Sequence, residues 1–201
     1  MAEIKQEEKE LVLKAKAGER RAFETLVHGC AKQVYNLAYR LSNSKESAED
    51  IAQEAFINAY NSINKFSHDC PFANWVYRIA VNAWKNRVRY EKRRFFFKHD
   101  SLDETIAGED GDMKKELPDK KPGADEEFEK FHRKEAIEKA LNELNPQAKE
   151  MLVLRDMEEL SYEEISGIIK APLGTVKSRI ARARETLKEH LMKYLGDDYG
   201  A

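Results

Sequence analysis

The chain has 201 residues, of which 41% are hydrophobic and 36% are charged, with 9 Gly and 5 Pro. This length accommodates one or two globular domains, and the scarcity of Gly and Pro argues against a turn-rich β fold. Residues 1–10 are too charged for a signal peptide, and no apolar run approaches the roughly 18 residues of a membrane span. We therefore expect a cytoplasmic protein without membrane insertion.

Charge is distributed unevenly along the chain, although the net charge is only −2. Residues 1–100 carry +5, residues 101–128 carry −6 and residues 129–201 carry −1. A basic first half favours contact with nucleic acid, whereas the acidic segment disfavours it.

The two cysteines, Cys30 and Cys70, indicate neither a redox nor a metal centre. Cys30 falls on the apolar side of a predicted helix, where a cysteine is usually a small buried hydrophobe. Cys70 follows His68 and Asp69, but one thiol and one imidazole make a poor metal site. The sequence shows no nucleophile–base pair and no glycine-rich phosphate loop, so we expect no catalytic residue, no metal and no cofactor.

Apolar residues at helical spacing predict four helices in the first half. The third carries a stripe of expected core residues that includes Tyr60, and the fourth is expected to bury Trp75. The predicted spans are 4–17, closed by Gly18 as a left-handed cap, 20–41, 47–63 and 72–94.

The polar face of the third predicted helix contains one apolar residue. Asp50 fits the positive end of the helix dipole, which explains a solvated acidic face. Ile57 does not fit that explanation, and a docking face for another protein would account for it. From the residues alone, docking and a solvated face remain open for the set Asp50, Gln53, Glu54 and Ile57.

The loop 64–73 and the helix after it combine aromatic and basic residues. Residues 78–98 carry a charge of +7, with Trp84 and Tyr90 interleaved. Cations with exposed aromatic rings suit a phosphate backbone and unstacked bases. The alternative is a basic surface helix with no ligand.

Helical periodicity is lost over residues 99–127, which are rich in Gly, Pro and Asp. This composition predicts a flexible acidic linker between a domain at 1–98 and a domain at 128–201. Fully extended, the segment could reach roughly 90 Å. That reach covers two DNA sites one to two helical turns apart, about 35–70 Å.

The second domain is predicted to contain helices with apolar stripes before a helix-turn-helix at 160–191. The first stripe is Phe131, Ile137, Leu141 and Leu144, and the second is Met151, Leu152 and Leu154.

The helix-turn-helix begins at a predicted capping box between Ser161 and Glu164. The turn is expected at 171–174, with Gly174 free to adopt a positive φ and Thr175 capping the second helix. That helix presents Lys177, Ser178, Ala181 and Arg182 opposite its apolar stripe, and such a face can touch base edges in a major groove.

Three segments together resemble one family. They are AEDIAQEAFINAY (48–60), FANWVYRIAVNAWKNRVR (72–89) and SYEEISGIIKAPLGTVKSRIARARE (161–185). Their order and spacing are similar to those of bacterial RNA polymerase sigma factors of the extracytoplasmic-function group. The resemblance implies an all-α fold with two helical domains, region 2 and region 4, and a non-catalytic initiation subunit.

The resemblance implies that region 2 binds core polymerase and opens the minus-ten promoter element. Segment 48–60 would dock on the β′ clamp helices through Asp50, Gln53, Glu54 and Ile57. The loop 64–73 would receive a flipped base of the separated strand. Minus-ten contacts would come from Phe66, Phe72, Asn82, Lys85, Arg87, Arg89, Arg93 and Arg94.

Region 4 would read the minus-thirty-five element as duplex, and its first helices would engage the β flap. Position 181 is small here, whereas some relatives carry an aromatic residue, so base preference cannot be transferred. The family also implies an anti-sigma partner. The implied contacts are Thr175, Lys177, Ser178, Arg179, Ala181, Arg182 and Arg184, with Arg179 and Arg184 assigned to phosphate or to packing.

Two other functions are compatible with parts of the sequence. A stand-alone helix-turn-helix regulator, binding duplex DNA as a dimer, explains 160–191 but not 48–60 or 64–73. An interaction protein whose basic helix binds RNA or an acidic partner explains only the basic run.

Overall fold

The computed structural model describes residues 6–99 and 124–195, and every regular element in these ranges is helical. The predicted all-α class is confirmed. The segment expected to be a linker lies outside the described residues, except for its ends, which are helical at His99 and from Ala124 onward. The helices are α1 (Gln6–Lys16), α2 (Arg20–Ser42), α3 (Lys45–Ser62), α4 (Phe72–His99), α5 (Ala124–Glu143), α6 (Pro146–Leu152), α7 (Tyr162–Ile169) and α8 (Leu173–Leu195).

Local residue chemistry sets the helix ends in the N-terminal unit, residues 6–99. Gly18 has a φ of +94° and ends α1, as its position predicted. Asn43, at φ +54°, closes α2 with its amide bonded to the Tyr39 carbonyl. The Ser44 hydroxyl then accepts a hydrogen bond from the Ser47 amide, so α3 begins at Lys45 and not near Ser47.

The core of the N-terminal unit lies between α2, α3 and α4. Leu37, Ile51 and Val76 are almost completely buried there, and Trp75 is buried as expected. Tyr60 was predicted to lie in this core but is 49% exposed, because it stands at the edge of the α3 stripe. Its ring packs edge-on against Phe23, with centroids 5.1 Å apart.

The C-terminal unit, residues 124–195, packs α5 and α6 against α8. The predicted stripe of α5 is only half right, since Leu141 and Leu144 are buried while Phe131 and Ile137 are exposed by 56% and 41%. Helical spacing therefore predicted the burial of the C-terminal residues of this stripe but not of Phe131 and Ile137. After α6 the backbone widens into a π-helical turn, Val153–Met157.

The helix-turn-helix formed by α7 and α8 is capped as predicted at its start but differs in its turn. Ser161 and Glu164 make the reciprocal capping box. The left-handed residue is Lys170, at φ +53°, and not Gly174, which is already helical because α8 begins at Leu173. Thr175 therefore lies inside α8 and does not cap it.

The two units share one continuous hydrophobic core. Helix α4 packs against α6 and α7, and α2 packs against the π-helical turn. This packing places the C-terminal unit directly on the helix predicted to open the minus-ten element.

Candidate functional site

The predicted docking face of α3 is exposed in the structure. Asp50, Gln53, Glu54 and Ile57 all reach solvent, and Ile57 is 53% exposed despite its apolar side chain. These side chains share a face because their spacing of three and four residues matches the helical repeat. The structure thus presents an acidic helix face with an apolar end.

An apolar groove of about 480 Å³ continues this face between α2 and α3. Sequence reasoning missed it, although the spacing of Ile57 and Tyr60 was a signal, since two large apolar residues three apart share a face. The groove joins Ile57 to the half-exposed Tyr60 ring, so the docking surface extends onto α2. It is lined by Arg20, Phe23, Glu24, Val27, His28, Phe56, Ile57 and Tyr60.

Phe66 and Phe72, predicted as DNA contacts, are core residues. Each is only 2% exposed, and their ring centroids lie 5.9 Å apart. Both rings also pack on Trp75, at 4.9 Å and 5.8 Å. The prediction that these two rings stack on bases is corrected, because burying them with Trp75 stabilises the loop from below.

The polar residues between the two phenylalanines remain at the surface. Ser67 and Asp69 are exposed, and the Ser67 hydroxyl donates a hydrogen bond to the Asp69 carboxylate. His68, at φ +62°, lies against the Phe66 ring with centroids 5.1 Å apart. Partial burial, followed by the nearby cations Lys16 and Lys9, lowers the pKa of His68, which favours the neutral form of its ring.

Two residues of α1 hold the ends of this loop. The Lys16 ammonium donates to the Phe66 carbonyl at 2.6 Å, and the Glu8 carboxylate accepts from the Phe72 amide at 2.8 Å. The second contact satisfies one of the free amides at the start of α4. Each contact joins residues that are more than 45 positions apart in the sequence, so the helical spacing of residues could not have predicted it.

The residues of α4 predicted to contact the minus-ten element fall into an exposed group and a group paired with carboxylates. Asn82, Arg89, Arg93 and Arg94 are exposed. Arg87 is paired with Asp50 at 2.9 Å and with Glu91 at 3.4 Å. Lys85 lies 2.6 Å from the buried Glu150 of the C-terminal unit.

The face of α8 that was predicted to contact bases, which we call the reading face, is exposed. Lys177, Ser178, Ala181 and Arg182 point to solvent, while Val176, Ile180 and Ala183 are buried on the opposite side. This separation allows the face to enter a groove without disturbing the fold. Thr175 and Arg179 are half-buried, and Arg184 is bonded to Asp156.

Among the residues that the structure describes, three carboxylates of the C-terminal unit contact the N-terminal unit. Glu158 accepts from Arg40 at 2.7 Å and from the Tyr77 hydroxyl at 3.1 Å. Glu164 accepts from the Asn74 amide at 3.0 Å while it completes the capping box. Glu150 is the third, and burial raises its pKa, which Lys85 and Arg179 partly offset.

Cys30 lies in the core of the N-terminal unit. Burial raises the pKa of the Cys30 thiol to about 12, which fits a structural cysteine. In the described part of the chain, no cluster of three His, Cys, Asp or Glu side chains could hold a metal ion. None of the helices described combines the length and apolar character that a membrane span requires.

Family models match most of both units. Sigma-70 region 2 matches residues 26–94, and sigma-70 region 4 matches residues 134–187. Among curated proteins, RNA polymerase sigma-H factor of Pseudomonas aeruginosa is 32% identical over 94% of this chain and 96% of its own length. ECF RNA polymerase sigma factor SigW of Bacillus subtilis is 34% identical over 91% of this chain and 96% of its own length.

Solved structures support the fold. The sigma factor RpoE from Bartonella quintana, crystallised with the anti-sigma factor NepR, aligns with a TM-score of 0.61 and 24% identity over 84% of this chain and 96% of that chain. CnrH, in complex with the cytosolic domain of CnrY, aligns with a TM-score of 0.63 and 21% identity over 94% of this chain and 99% of that chain. The two matched regions and the curated relatives show that the chain belongs to the sigma-70 family, in its extracytoplasmic-function group, and is an alternative sigma factor for transcription initiation by RNA polymerase.

Proposed function

We propose that this sigma factor docks on core RNA polymerase through α3 and reads two promoter elements through α4 and α8. The main support is that one chain presents an acidic, groove-lined face on α3 and a separate basic reading face on α8. A stand-alone regulator would use only the second of these faces.

Docking would use the acidic face of α3 and the apolar groove beside it. Asp50, Gln53 and Glu54 would meet polar residues of the β′ clamp helices. Ile57 and Tyr60 would fill the centre, since exposed apolar groups lose water most favourably at the middle of an interface. Charge would then mainly set orientation and the rate of association.

Minus-ten recognition would use the surface loop 67–71 and the exposed residues of α4. Asn82 carries both a donor and an acceptor for a base edge. Arg89, Arg93 and Arg94 would hold phosphates of the separated strand. Phe66 and Phe72 would support the loop from the core and would not touch the bases, whereas Lys85 and Arg87 must first leave their carboxylate partners.

Minus-thirty-five recognition would place the N-terminal half of α8 in the major groove. Lys177, Ser178 and Arg182 would contact base edges, and Ala181 would allow close approach or contact a thymine methyl. Arg179 and Arg184 would contact phosphate, with Thr175 near the backbone at the helix start.

The remaining expectations follow from this role. We propose that nucleotide polymerisation belongs to the core enzyme, that this chain carries no catalytic residue, and that it acts in the cytoplasm. The first helices of region 4 would engage the β flap. The solved complexes of RpoE with NepR and of CnrH with CnrY support an anti-sigma partner for this chain as well.

Transcription with purified components tests the proposal. The full chain is mixed with core polymerase and with DNA fragments of the source genome as templates. The start sites of the transcripts are then mapped. We expect starts at defined sites only when the chain is present. Core polymerase that never initiates specifically with this chain would refute the proposal, and a symmetric dimer footprint without polymerase would favour a stand-alone regulator.

A further inference from the structure

Helix α1 holds both ends of the loop that connects α3 to α4. Lys16 donates to the Phe66 carbonyl at 2.6 Å, before the exposed residues of the loop, and Glu8 accepts from the Phe72 amide at 2.8 Å, after them. Val12, between these two residues, is completely buried. The helix is therefore anchored in the core and brings one cation and one anion to the loop.

These two contacts leave the middle of the loop unconstrained by α1. Ser67 and Asp69 are exposed, so their side chains are available to a nucleotide. A loop fixed at both ends and open in the middle keeps its shape without a bound strand, and such preorganisation reduces the ordering entropy lost on binding.

We propose that Lys16 and Glu8 are positioning residues for promoter opening, acting through the loop 66–72. This inference rests on the proposed function of the loop. Neither residue touches DNA in this role. Both lie outside the matched region 2 segment, 26–94, so the family model does not assign them.

We call the contacts of Lys16 and Glu8 with the loop the brace. The rate at which the full chain, bound to core polymerase, opens a promoter tests its role. Lys16→Met removes the donor, and Lys14→Met is the matched control, since Lys14 is exposed on the same helix. We expect Lys16→Met and Glu8→Ala to slow open-complex formation about tenfold, measured by 2-aminopurine fluorescence, while core binding and the unfolding midpoint stay near wild type. Glu8→Gln keeps an acceptor oxygen and should restore most of the rate.

Hydrogen exchange of the loop amides separates this proposal from the proposed function. Lys16→Met should accelerate exchange at residues 67–70 relative to Lys14→Met. Unchanged exchange, or an opening rate equal to wild type, overturns the brace. Faster exchange in a chain that never opens a promoter supports the brace and refutes the proposed function.

Discussion

Arg87 of α4 is bonded to Asp50 of α3, with Nη1 and Oδ2 2.9 Å apart. The hydrogen bond to Asp50 is the main reason why the pKa of Arg87 is raised. Asp50 is proposed to meet polymerase and Arg87 to meet DNA, so the two surfaces share one ion pair. Both side chains are more than a third exposed, hence water screens the pair and either residue can change partner with little loss of stability.

Reversing the charge of the α3 face should abolish binding to core polymerase. We expect Asp50→Lys with Glu54→Lys to lose co-purification with core while helicity is retained, because both side chains are exposed and lie off the core. Glu7→Lys with Glu10→Lys, on α1, is the control for charge alone. Retention of core by the α3 variant would show that this face is merely solvated.

Removing Arg182 should weaken discrimination at the minus-thirty-five element. We expect Arg182→Ala to reduce the preference for the cognate base by about 1–3 kcal/mol, measured by competition binding of the holoenzyme to promoters with single substitutions. Lys188→Ala, exposed further along α8, is the control. An equal loss of affinity for all sequences would identify Arg182 as a phosphate contact.

Substitutions at Phe72 and Asn82 should have different effects: the first should lower stability, and the second should slow promoter opening. Phe72 packs against Phe23, Phe66 and Trp75, so we expect Phe72→Ala to lower the free energy of unfolding by about 3–5 kcal/mol. Asn82 is exposed, and Asn82→Ala should change it by less than about 0.5 kcal/mol while slowing promoter opening. Urea denaturation and the opening rate check the pair. A stable Phe72→Ala variant that fails to open promoters would restore the direct stacking role.

The two thiols should differ in reactivity. Burial raises the pKa of the Cys30 thiol to about 12. Burial also raises the pKa of Cys70, which is only half-buried, and the nearby Arg78 partly offsets that rise. A raised pKa lowers the thiolate fraction at a given pH, and the thiolate is the reactive form. At pH 8 we expect iodoacetamide to modify half-buried Cys70 first and Cys30 only after unfolding, as read by peptide mass spectrometry. Equal rates in the folded protein would contradict this order.

Local patterns in the sequence predicted those features that depend on neighbouring residues. The Ser161–Glu164 capping box and the left-handed Gly18 follow from chemistry within a few residues. The exposed face of α8 follows from the helical repeat, since Val176 and Ile180 define the opposite side.

Features that depend on tertiary placement were predicted poorly. Phe66 and Phe72 were assigned to DNA because an aromatic ring in a basic neighbourhood fits either a base or a core, and only packing decides between them. Phe131 has helical spacing but is 56% exposed, since spacing alone does not show which face of a helix is covered. No sequence pattern joins Glu150 to Lys85, because that contact exists only once the two units have packed.

The turn of the helix-turn-helix has a consequence for engineering. Lys170 adopts a left-handed conformation that suits glycine, whereas Gly174 sits in a helix with nothing within 4 Å of where a Cβ would be. The substitutions Lys170→Gly and Gly174→Ala would match each residue to its backbone conformation. Each should raise the free energy of unfolding by about 0.5–1 kcal/mol, and together they should raise the melting temperature. A Cβ at position 174 would have no atom of the chain within 4 Å, so a loss of promoter affinity in the single variant Gly174→Ala would identify position 174 as a place where DNA comes close to the backbone of α8.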